Sequence, residues 1–117
     1  MSKRIVTGHN AAGRSVIDIQ DSGAHGLGNL SELWVTDATP ADNAAPGDAT
    51  DRPVSLTPPD GGSVFRTFQV APESGSAGMD KDERAALVRE RFAAMNASDA
   101  LVDTSRHPAM HKTRTVD

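Results

Sequence analysis

The apolar and polar positions along the chain fall into short runs that alternate, and then into one run with helical spacing. Lys3 to Thr7 is apolar at its centre, Gly8 to Gly13 is rich in turn formers, and Arg14 to Gln20 carries Ile17 and Ile19 two apart. Alternation on both sides of a turn-forming stretch predicts a β-hairpin with a long loop, and His9 falls in that loop as a solvated residue. Leu30 to Thr36, with Leu33, Trp34 and Val35, predicts a further strand, and Pro53 to Leu56 a short one. After the turn signal Pro58-Pro59-Asp60-Gly61-Gly62, Ser63 to Val70 alternates, with Val64, Phe68 and Val70 on one face and Arg66 among them. Asp80 followed by Glu83 predicts a capping box, and Ala85, Val88, Phe92 and Met95 set one apolar face of a helix over about 80–96. That face is expected to pack on the strand carrying Phe65 and Phe68. Leu101 to Asp103 reads as one more short strand. The pattern predicts a mainly β fold with antiparallel strands and one amphipathic helix.

Two stretches have no such period. Asp21 to Asn29 holds Gly23, Gly26 and Gly28 around His25, and reads as a flexible loop. Its glycine spacing fits neither a dinucleotide fingerprint nor a P-loop. Asp37 to Asp51 is a long Ala-, Asp- and Pro-rich connection whose acidic residues (Asp37, Asp42, Asp48, Asp51) read as solubilising.

Composition narrows the core and the class of partner. Leu, Ile, Val and Phe make up 21 of 117 residues, just under the roughly 20% that accompanies disorder. The net charge of −4 is too small for a polyelectrolyte, so a modest core in a single domain is expected. Four aromatic residues and an acidic balance argue against a nucleic-acid surface built on base stacking. No apolar run approaches the roughly 18 residues that span a bilayer, and no signal-peptide core follows Met1. With no cysteine there is neither a disulfide framework nor thiolate chemistry, and a cytoplasmic location is expected.

Candidate chemistry gathers at residues 107–117. His107 and His111 are four apart, the helical spacing of a zinc-protease pair, but Pro108 stands where that pattern needs glutamate. The following Lys-Thr-Arg-Thr-Val is β-branched and alternating, which predicts a strand with His111, Thr113, Thr115 and Asp117 on one face. Imidazole and carboxylate on one face can hold a divalent metal or a polar ligand. The alternative is an ordinary polar loop. Arg66 has two readings, an anion-binding guanidinium able to take a carboxylate bidentately or an edge-strand charge. Trp34 is either a packing residue or a ligand-stacking one.

The stretch Ser105-Arg106-His107-Pro108-Ala109-Met110-His111-Lys112-Thr113-Arg114-Thr115-Val116-Asp117 resembles the entry into the first metal motif of small bacterial cupins. That motif runs His-x-His, three or four residues, Glu, then an apolar strand and a Gly-containing turn. His111 matches its first histidine and Asp117 its acidic position, while the second histidine falls on Thr113. The similarity extends to Leu33-Trp34-Val35-Thr36 and Gly62-Ser63-Val64-Phe65-Arg66. It implies a jelly-roll barrel of which residues 1–117 are the N-terminal portion, with the C-terminal strands missing, a truncated domain. It also implies a divalent ion (Fe, Mn, Ni or Zn) held by His111 and Asp117, and a small oxygenated ligand near His107, Arg66, Thr113 and Trp34. No reaction follows from it. A non-catalytic ligand-binding protein, or a structural fragment that forms homo-oligomers by pairing its open strand edges, is the alternative.

Overall fold

A computed structural model describes residues 3–22, 25–70, 72 and 78–115. Five strands form two antiparallel sheets: β1 (Arg4–His9) with β2 (Ser15–Asp21), and β4 (Leu30–Thr36) between β3 (His25–Leu27) and β5 (Ser63–Phe68). One helix, α1 (Lys81–Ala94), and a 3-10 turn (Ser98–Ala100) follow. The fold is mainly β with one helix, and the strands close no barrel among the described residues.

The hairpin forms where the sequence predicts it, but Gly8 and His9, expected in the loop, pair with Val16 and Ser15 as the end of β1. Asn10 caps the loop, its side-chain oxygen accepting from the amides of Ala12 and Arg14 at 3.0 and 3.1 Å. The register slips between Val6 and Thr7, pairing Val6 with Ile19 and Thr7 with Ile17. Asp18 is the extra residue, and a bulge of this kind moves the next residue to the other face. Ile17 is therefore not on the face of Ile19, and is 58% exposed.

A second bulge organises the larger sheet. Glu32 pairs with Arg66, but Trp34 pairs with Phe65, so Leu33 is the extra residue. Glu32, Val35, Val64 and Arg66 share one face, and Trp34 and Phe65 are turned to the other. The stretch expected to be a loop contains β3, joined to β4 by the two-residue turn Gly28-Asn29. Gly26 lies so close to β4 that a Cβ there would stand 2.2 Å from the Leu30 carbonyl oxygen. Gly62 is held the same way, 2.1 Å from that of Thr36. Residues 53–56 form no strand.

Helix α1 begins at the predicted box. The Asp80 carboxylate accepts from the amides of Asp82 and Glu83, and Glu83 accepts from the amide of Asp80. Its apolar face does not bury Phe65 and Phe68 of the strand expected to receive it. The helix is anchored at its C-terminal end, where Leu56 donates its amide to the Met95 carbonyl (3.1 Å) and the Phe92 ring meets the edge of His111 (centroids 5.1 Å, 61°). Phe65 and Phe68 stay 63% and 65% exposed.

Among the described residues the buried apolar side chains are Val35, Phe92 and Ala97, matched by buried Arg4, Glu32 and Thr50. A core this small gives an elongated molecule, with a radius of gyration of 17.4 Å, where a compact domain of this length has about 13 Å. Phe92 is the largest apolar side chain in it. Phe92→Ala is expected to cost about 3 kcal/mol or more, read as a shift of the urea midpoint. A negligible shift would show that the helix end contributes nothing to the cooperative unit.

Candidate functional site

Three polar clusters stand out, two held by the strands and one in the C-terminal histidine segment. The first is at Arg4, at the start of β1. Its Nε and Nη2 grip Asp21 (3.0 and 2.5 Å), and its Nη1 and Nη2 grip Asp48 (3.0 and 2.5 Å). Both forks of one guanidinium are thus filled by carboxylates. Nη1 also donates to Thr50 Oγ1 at 3.1 Å and to the Leu33 carbonyl at 3.4 Å. Asp48 takes two further bonds from Thr50, amide and hydroxyl. The Arg4 hydrogen bonds hold the Asp48 carboxyl far below the usual carboxylate range, and the Arg4 guanidinium is pushed above its ordinary value by Asp21 and then Asp48. Asp48 is therefore a structural anchor, tying the hairpin to residues 48–50, and not a solubilising charge.

The second cluster is the pair Glu32 and Arg66. Glu32 is fully buried on the central strand, 3.0 Å from Arg66 Nη2. The charges touch, yet neither Glu32 oxygen receives a well-directed hydrogen bond among the described residues. Nη2 is directed instead at the Ser55 carbonyl, at 2.7 Å. Arg66 is thus no exposed edge charge. Both forks of a guanidinium include Nη2, and here Nη2 is engaged inward, so the bidentate grip expected for Arg66 is not available.

The third cluster is the histidine segment. It is no strand: a single antiparallel bridge joins Leu101 to His111, flanked by Val102 to Met110 and Lys112 to Ala100 bonds. Beyond His111 the chain bends, and no strand among the described residues offers a ladder to residues 112–115. The two histidines take opposite tautomers. His107 Nδ1 accepts the amide of Ala109 (3.1 Å), so its proton is on Nε2 when the ring is neutral. His111 Nδ1 donates to the Ala109 carbonyl (2.9 Å), which leaves Nε2 with its lone pair. Thr113 bonds to Thr115 (2.6 Å). Asp117, expected as the acidic ligand, lies outside the described residues. No group of three or more acidic or histidine side chains suited to a metal occurs among the described residues.

These elements enclose one open groove of about 1980 Å³ between the β3–β5 sheet, α1 and the C-terminal segment. It brings together Arg66, His107, His111 and Thr113. Trp34 does not line it, since the Leu33 bulge puts that ring on the opposite face. Alternate residues of the β5 strand and its extension, Val64, Arg66, Phe68 and Val70, form one wall, and Arg84, Leu87, Arg91 and Met95 of the helix side the other. Leu27, Leu30 and Phe92 add apolar surface, and Arg114 adds a further cation. Against these arginines stand Asp60 and Glu90, in a chain of net charge −4. The groove is lined by apolar side chains together with more arginines than carboxylates.

No protein-family model and no curated protein matches this chain. Neither comparison identifies a cupin domain. No described helix is long and apolar enough to cross a membrane.

Proposed function

We propose that the protein is a binding module whose groove takes an extended, acidic and partly apolar segment of a partner protein. The observation that carries this reading is the groove's lining: exposed Phe68 and Val70 beside Arg66, Arg84, Arg91 and Arg114 in an otherwise acidic chain. Size favours a chain segment over a small metabolite, because small-ligand pockets occupy roughly 300–1,000 Å³ and this groove is larger and open. The alternating β5 side chains present a two-residue period that an extended peptide can match. Clustered cations speed the encounter with an acidic segment and make the affinity depend on salt.

The test uses a fluorescein-labelled peptide alternating leucine and glutamate, its lysine counterpart, and fluorescence polarisation. The acidic peptide is expected to bind in the micromolar range, more weakly as salt is raised, and the lysine peptide not at all. Arg91→Glu/Arg114→Glu is expected to weaken binding about tenfold or more, equivalent to about 1.4 kcal/mol. Equal affinity for both peptides, or none for either, overturns the proposal.

A second reading, a divalent-metal cupin, is favoured by His111 alone, whose Nδ1–H is fixed on a carbonyl with Nε2 left as the ligating atom. A stoichiometric Zn²⁺ site lost in His111→Ala, beside a groove indifferent to the peptides, moves the assignment there.

A further inference from the structure

Glu32 is a fully buried carboxylate with no well-directed hydrogen bond among the described residues. Buried polar groups are nearly always satisfied, so one that is not calls for a reason. Its only charge partner among the described residues is Arg66, which reaches from the sheet interior to the groove wall. The guanidinium has five N–H donors, and the two on Nη2 are turned inward, toward the Ser55 carbonyl and the Glu32 carboxylate. Those on Nε and Nη1 have no partner among the described residues, and neither nitrogen is a buried one. One side of Arg66 is therefore held and the other is open.

We infer that Arg66 is the residue by which the groove reads a carboxylate, through a single charge-assisted bond from its outer nitrogens, and that Glu32 is a positioning residue behind it. Glu32 fixes the guanidinium plane at the wall through the contact at Nη2. Its negative charge also tempers the attraction, so a bound carboxylate shares Arg66 rather than capturing it. This rests on the groove reading above and adds the atoms that carry its selectivity. Other groove cations act over a distance and weaken with salt, whereas a bond at Arg66 distinguishes glutamate from glutamine at one peptide position.

The test scans the leucine–glutamate peptide with single glutamate-to-glutamine replacements. In the wild type one position is expected to lose about tenfold on replacement and the others about twofold or less. In Glu32→Gln/Arg66→Gln, a neutral pair that leaves no buried charge, that distinction is expected to vanish while the peptide still binds. Glu32→Met/Arg66→Met fills the same space with apolar atoms and is the second variant, expected to lose the distinction likewise. Glu32→Gln alone is expected to tighten binding of the acidic peptide about threefold or more, since a like charge behind Arg66 is gone. A purely structural Glu32 gives no such gain. An unchanged distinction in both double variants, or weaker binding in Glu32→Gln, overturns the inference while leaving the groove reading intact. If the wild type binds no acidic peptide, the groove reading itself falls, and this inference with it.

Discussion

Arg4→Met is expected to destabilise the protein by about 3–5 kcal/mol, because it removes the buried cation that the Asp21 and Asp48 carboxylates share. Arg4 is buried and donates to both carboxylates through both of its forks. Small domains have only about 5–15 kcal/mol of stability in all, and the described apolar core here is Val35, Phe92 and Ala97. The loss should appear first as rapid hydrogen exchange in β1 and β2, which Arg4 ties to Leu33 and Asp48, and as a lower urea midpoint. The pH dependence has a definite sign. The native Asp48 titrates below an ordinary aspartate, so the stability it contributes is present above about pH 4 and is lost as pH falls toward its depressed value. In Arg4→Met the largest cause of that depression is removed and only the Thr50 bonds remain, so the gap between wild type and variant should narrow on acidification. A gap that stays constant from pH 7 to about pH 3 would show that the ion cluster does not hold the hairpin.

The parts of the fold legible in the sequence are those set by near neighbours. Asp80 and Glu83 are three residues apart, and their reciprocal bonds form as the capping box requires. The hairpin and β5 follow from alternation within a few residues. What was not legible depends on residues far apart in the chain. Arg4 lies 17 residues from Asp21 and 44 from Asp48, and no spacing rule links such positions. Strand β3 was hidden because Gly26 reads as a loop residue, whereas here its missing Cβ lets two backbones approach. Bulges at Asp18 and Leu33 reverse the faces of Ile17 and Trp34, and alternation alone cannot place a bulge. For the candidate site, Arg66, His107, His111 and Thr113 line one groove, although the strand pattern after His111 has no neighbour to pair with among the described residues. Glu32 carries a signal in the sequence: a lone acid within an apolar strand calls for a basic partner, and Arg66 is the lone base of another.

The Glu32–Arg66 pair has the second large expected effect, and its sign depends on whether one partner or both are removed. Arg66→Met alone leaves a fully buried carboxylate without a cation, and is expected to cost about 3–5 kcal/mol. Glu32→Met/Arg66→Met removes both charges and keeps similar volume, and is expected to match the wild type or exceed it by about 1–4 kcal/mol. The reason is that the native pair recovers little of its desolvation cost. Its contact at 3.0 Å lacks a directed hydrogen bond to either Glu32 oxygen, and Arg66 divides Nη2 between Glu32 and Ser55. Urea midpoints of the wild type, the single variant and the double variant measure the coupling directly, since the two residues touch and are not expected to be additive. If the double variant is as unstable as Arg66→Met, the pair is a net stabilising element of the sheet, and packing accounts for its presence without a role in binding. If stability returns, the sheet does not need the pair, and its presence at the groove wall is explained by what Arg66 binds there.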